Sequence, residues 1–279
     1  MRSSSRQSDR TRRKSVASAP RLMLPIHPSA KKAAIGLLSL CYAAWFILLG
    51  IGVARYEELP TRLKSSDLPL HHFDRFFRAT GALLVLGLLG IRALTAVLFP
   101  GLYPGSQLLA PGLIYSLQLL LRWGLYYLHL SGLIFNPSHW DDGLKQAAPH
   151  IMSDHVLLGA AVQAGLASEA CLPLLRWHTG SMQPLGHRIA LGLHALVAAV
   201  LALLVAGESY FTVRYFHPPV ENLVAILVGL LLFQAPLVLF NLKALQAASR
   251  ARLIPGAATK TGPARKTGKR LTEGPDGEL

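Results

Sequence analysis

Charge is scarce in this chain of 279 residues, and acid is scarcer still. Asp, Glu, Lys and Arg make up 15% of it, with 14 acidic against 28 basic side chains. A soluble domain carries about 25% charged residues. The shortage, beside 52% hydrophobic residues and a mean hydropathy of +0.38, excludes an ordinary water-solvated globule and fits a membrane-resident chain. Cysteine is nearly missing. Cys41 and Cys171 both sit inside apolar runs, where they read as small packing residues rather than as a disulfide. There is no internal repeat, and no polar stretch is large enough to bury a core of its own.

The net charge of +14 invites a nucleic-acid reading, but its placement argues against one. Arg2, Arg6, Arg10, Arg12, Arg13, Lys14, Arg21, Lys31 and Lys32 precede the first apolar run, a second basic cluster follows the last, and the middle is nearly balanced. A spanning helix needs about 20 apolar residues, and six runs qualify: Ala33–Ala54, Gly81–Phe99, Ala110–Phe135, Met152–Leu175, Ile189–Ala206 and Val220–Leu245. The expected fold is therefore an all-α membrane protein with six transmembrane helices. Residues 33–246 form the membrane domain, and basic, disordered tails cover 1–32 and 247–279. An even number of spans puts both tails on one side, and their basic residues make that side cytosolic. The basic loop from Arg176 to Arg188 falls with them. The connections around 55–80, 136–151 and 207–219 then share the opposite face. No cleavable signal peptide is expected, because the polar start is long and the first span exceeds an h-region; the Arg- and Ser-rich start also has the composition of an organelle transit peptide.

Ionisable residues at membrane depth are costly and mark function until a structural role accounts for them. Arg92 lies in the middle of the second span, and snorkelling or pairing with Glu169 accounts for it. Arg122 has the same structural explanation, yet stands among Trp123, Tyr126, Tyr127 and His129, where it is also a candidate phosphate ligand. His194, alone among aliphatics, reads as a hydrogen-bonded structural histidine. His155 in "HIMSDHVLLGA" and His217 in "TVRYFHPPVENL" differ, because alternation of the spans brings both to the same non-cytosolic face. Glu221 follows His217 by four residues, one helical turn if a helix starts at Pro218. A carboxylate there fixes the imidazole tautomer and raises its basicity. Ser153 or Asp154 can cap the fourth span, whose outward N–H groups favour an anion. With Arg214, and Lys145 or His150, that helix end makes a candidate phosphate site in which two histidines act as nucleophile and acid. The competing structural reading is interfacial anchoring, for which His, Tyr and Arg are common.

Ser153 and His155 before an apolar run, together with Thr212, Tyr215, Phe216 and His217 before the last span and Trp140 upstream, resemble the fat storage-inducing transmembrane (FIT) proteins, which have a Ser-Gly-His motif and a Thr-x-x-x-Tyr-Phe-His motif. The likeness covers the six-span layout but only about fifteen motif residues. It implies an endoplasmic reticulum protein related to lipid phosphatases, multi-pass in the membrane; no cofactor or metal is expected. It also implies cleavage of the diphosphate of fatty acyl-CoA on the lumenal side, to acyl 4′-phosphopantetheine and adenosine 3′,5′-bisphosphate. Carried onto this chain, it makes His217 the nucleophile, His155 the acid and Glu221 the group that orients His217. Arg214, Arg122, Ser153 and Tyr215 are then the phosphate- and substrate-binding candidates, with fatty acyl-CoA and membrane lipids as partners. Two departures stand out. Asp154 replaces the family glycine, and Phe211 occupies the position where the related phosphatases carry an arginine. Three alternatives fit the same residues: a phosphatidate-type phosphomonoesterase, a non-enzymatic lipid-binding protein, and a haem-carrying bundle using histidines such as His71, His129, His155, His194 and His217.

Overall fold

The computed structural model describes residues 28–57, 65–100, 102–103, 105–131, 152–177 and 184–250. Among them every regular element is helical, and six helices are long and apolar enough to cross a membrane. Helix α1 spans Pro28–Ala54, α2 His71–Leu98, α3 Ser106–Leu130, α4 Asp154–Cys171 and α5 Leu185–Tyr215. A tightened turn, Leu172–Arg176, continues α4. Helices α6 (Pro219–Gly229) and α7 (Ala235–Arg250) join through a widened turn at Leu230–Gln234 into one span. The chain is a multi-pass membrane protein. Its first and last helices reach into the stretches predicted as tails, while residues 1–27 and 251–279 lie outside the described residues, as do Trp140, Lys145 and His150.

Two helices run furthest beyond the predicted hydropathy runs. Helix α2 begins at His71 rather than near Gly81, and α5 continues past Ala206 to Tyr215. The predicted connection over 207–219 therefore shrinks to Phe216–Pro218. Apolar windows measure the length bathed in lipid, whereas these amphipathic ends extend beyond it. Ends that the alternation placed together do meet: Phe99 contacts His187 edge to face and the Arg176 guanidinium bonds Gln107, all at one end of the bundle. At the other end Glu57 donates its N–H to Arg214 O at 2.9 Å.

Helix α4 is the centre. It packs on α1, α2, α5 and α6, and 94% of its apolar window is buried, against 22% for α1. Its sequence, DHVLLGAAVQAGLASEAC, explains this. Small side chains on every face let neighbouring backbones close in, as membrane helices do in the absence of a solvent-driven hydrophobic force. A Cβ at Gly165 would lie 2.6 Å from the Val85 side chain, and one at Gly229 would lie 2.5 Å from Ala160 Cβ. The outer faces are greasy: Leu109, Leu113, Leu117 and Leu120 form an exposed stripe on α3 at helical spacing, suited to lipid contact.

Polar groups inside the bundle are tied together around Glu169 of α4, which is fully buried. Its Oε1 accepts Tyr115 Oη of α3 at 2.8 Å and lies 3.3 Å from Arg92 Nη1 of α2. Its Oε2 lies 2.9 Å from His194 Nε2 of α5. Four helices are thereby joined at one carboxylate. The pairing of Arg92 with Glu169 and the structural role of His194 are as the sequence indicated. Both cysteines are free and buried. Replacing Glu169 by Ala strands a buried guanidinium, which costs ~3–5 kcal/mol. Thermal denaturation in detergent should show Glu169→Ala far less stable than the wild type, with Arg92→Leu/Glu169→Leu recovering part of the loss.

Candidate active site

The starts of α4 and α6 are held side by side by a backbone bond from Ser153 N to Glu221 O at 3.3 Å. This bond brings His155 and His217 together, with ring centroids 6.1 Å apart and planes inclined by 36°. The two histidines sit at the same end of the bundle, His155 in the first turn of α4 and His217 in the connection before α6. Both are partly exposed, and the His217 side chain retains 19% of its accessible surface.

His217 lies just before α6, whose first residue, Pro219, suits a position where no N–H is needed. Its Nδ1 is 2.9 Å from Glu221 Oε2, as the four-residue spacing predicted. An ionised carboxylate only accepts hydrogen bonds. The neutral ring therefore carries its proton on Nδ1 and presents a lone pair on Nε2. Asn222 completes the support: its Nδ2 donates to His217 O at 2.8 Å and to Val213 O at 3.1 Å. This fixes the short connection between α5 and α6. The only signal for Asn222 in the sequence is a polar amide two residues past Val220, where the apolar run begins.

Ser153, expected as a substrate contact or a cap, is the cap. Its Oγ accepts the Val156 N–H at 3.3 Å and its side chain is fully buried. Arg122 is paired with Asp154 rather than Glu169, with Nη2 at 2.7 Å from Asp154 Oδ2 and 3.3 Å from Asp154 O. The Asp154 carboxylate is thus balanced by a cation on α3. Arg122 also stacks over Tyr126 at 5.5 Å. Arg214 reaches outward: Nη1 donates to Tyr210 Oη at 2.7 Å, Nη2 lies 3.7 Å from Glu57, and the guanidinium lies 4.7 Å from the centre of the Tyr215 ring. Tyr215 serves as that stacking partner. Thr212 donates to the buried Glu208 at 2.6 Å, so this motif residue supports α5.

A third arginine joins the site that sequence reasoning missed. Arg78 projects from the unexpected first turns of α2, over the ring of Phe216 at 5.8 Å, and its Nε donates to Asp74 at 2.7 Å. Arg78, Asp154, His217 and Asp74 are the charged and titratable groups around His155. The Arg78 side chain is 39% exposed, against 6% for Arg122 and 26% for Arg214, so it has the most open surface for an anion. Three arginine–carboxylate pairs therefore lie at the end of the bundle that holds the two histidines. Among the described residues no three His, Cys, Asp or Glu side chains converge as a metal centre would need.

The bond from His217 to Glu221 fixes one tautomer, which nitrogen NMR of histidine-labelled protein reads directly. Neutral His217 should show a protonated Nδ1 and a bare Nε2, and Glu221→Ala should give a mixture of both tautomers. No family model, curated protein or solved structure matches the chain, which leaves its own residues as the source of a functional reading.

Proposed function

We propose that the protein is a membrane hydrolase that cleaves the diphosphate of fatty acyl-CoA, as the resemblance to the fat storage-inducing proteins implies. The observation that carries the reading is the neighbouring pair His155 and His217, 6.1 Å between ring centroids, with Glu221 bound to Nδ1 of His217. That gap suits one phosphoryl group between a nucleophile and an acid, each of which must lie about 3 Å from the atom it acts on.

In the first step His217 Nε2 attacks phosphorus, the bridging P–O bond breaks, and His155 gives its proton to the departing oxygen. In the second, His155 takes a proton from water, whose oxygen bonds to the same phosphorus as the phosphorus–nitrogen bond breaks and frees His217. The two steps sum to addition of one water across the P–O–P bridge, giving acyl 4′-phosphopantetheine and adenosine 3′,5′-bisphosphate. Glu221 is a positioning residue that holds the His217 tautomer and stabilises the cation formed as the ring is phosphorylated. Arg78 is the group placed to meet the phosphate charge, with Arg122 and Arg214 behind their carboxylate partners. The site faces the lumen of the endoplasmic reticulum, and its turnover supports lipid-droplet formation and lipid balance.

Purified protein incubated with long-chain acyl-CoA should release both products. His155→Ala should lower the rate by about 10² to 10⁴, the range of general-acid contributions, and Arg78→Ala should raise KM. Turnover of phosphatidate alone would replace this reading with a phosphomonoesterase. Full lipid storage in cells expressing His217→Ala would replace it with a non-enzymatic lipid binder.

A further inference from the structure

Glu208 is a buried acid that takes no part in the histidine site. It lies where α5 continues past Ala206 and is only 2% exposed. Its Oε1 accepts the Thr212 hydroxyl at 2.6 Å, while Oε2 is buried and accepts no hydrogen bond among the described residues. A second acid stands against it. Asp74, from the first turn of α2, comes within hydrogen-bond reach of the Glu208 carboxyl. The two acids, with His71 and Thr212, line a pocket that has room for about one water molecule.

The donors around this pair fall one short. Thr212 supplies one to Glu208, and Arg78 Nε supplies one to Asp74 at 2.7 Å. Arg78 is the cation that acts on both acids. From α2, His71 also faces the pocket, but its Nδ1 is buried and makes no hydrogen bond among the described residues. From α4, His155 is the titratable group that Asp74 and Arg78 act upon. Two ionised carboxylates would therefore set two negative charges side by side against one positive charge, with a buried oxygen left without a donor. Like charges in contact do not both ionise, and a buried acceptor without a donor is costly. One proton removes both penalties, because it cancels one charge and makes a carboxyl O–H that donates to the other acid. Asp74 keeps 22% of its side-chain surface, which connects the pair to water for proton exchange.

We propose that Asp74 and Glu208 hold a single proton between them and so form a latch that ties the start of α2 to α5 and keeps Arg78 beside the histidines. The latch is closed while the proton is present. As pH rises and removes it, the two carboxylates repel, which frees the first turns of α2. Arg78 moves with them, away from its place over Phe216, the neighbour of His217. This inference stands apart from the acyl-CoA reading, since it concerns a proton held by the bundle and not a substrate.

The test is infrared difference spectroscopy of the full chain in lipid nanodiscs across a pH titration. The wild type should show a protonated-carboxyl stretching band that is lost toward alkaline pH. Glu208→Gln should lack that band, while its amide still donates to Asp74 in place of the acid proton. Hydrogen exchange reads the latch itself. At alkaline pH the amides of Asp74 to Arg78 should exchange about tenfold faster in the wild type than in Glu208→Gln, the effect of about one pK unit of coupling. At acid pH the two proteins should exchange alike. If Glu208→Gln does not fold, Asp74→Asn takes its place and should move loss of the band to more acid pH. A band that survives Glu208→Gln unchanged belongs to another acid and would overturn the proposal. So would a spectrum without such a band from a protein stabilised by sodium, which would make the pocket a cation site instead.

Discussion

One buried carboxylate holds the bundle together. The bilayer interior has no water to satisfy polar groups, so a charge placed there must find its partners within the protein. Glu169 finds three, Arg92, Tyr115 and His194, each from a different helix. Because Glu169 lies on α4, these bonds fasten the most buried helix of the protein to α2, α3 and α5 at one depth. The small residues of α4 let α1, α5 and α6 press against it as well. With α4 fixed in depth and rotation, its first turn has one position. There the Ser153 N–H meets the carbonyl of Glu221, and the spacing of the two histidines follows.

The site is electrostatically balanced rather than strongly cationic. Arg78 faces Asp74, Arg122 faces Asp154, and Arg214 faces Glu57. An anionic substrate entering such a ring must compete with fixed carboxylates. This favours the arginine with the most accessible surface, Arg78, and assigns Arg122 and Arg214 mainly to holding their helices. Asp154 adds a negative charge beside His155 that Arg122 offsets at 2.7 Å. The carboxylate and its compensating cation lie on different helices, so neither is intelligible alone.

Much of the fold was legible because hydropathy reports what the bilayer demands. Six apolar runs became six spanning helices, and their alternation placed His155 and His217 at one end. The bond between His217 and Glu221 was legible because both partners belong to one local turn. Helix ends were not, since α2 from His71 and α5 to Tyr215 continue in residues too polar to register as spans. Missing those ten residues of α2 hid Arg78. The partner of Arg122 was also out of reach: Glu169 and Asp154 both lie on α4, and choosing between them requires the depth of α3 against α4, which a single sequence does not encode. Depth in turn follows from contacts such as that of Tyr115 with Glu169, formed between residues 54 positions apart.

The most direct measurement of the central claim is to look for the covalent intermediate. Protein mixed with long-chain acyl-CoA, quenched in base within milliseconds and digested should yield a peptide carrying a phosphorus–nitrogen adduct on His217, absent from His217→Ala and accumulating in a variant slowed in the second step. Turnover without an adduct at any time point, or an adduct on a residue other than His217, would contradict a nucleophilic role for this histidine.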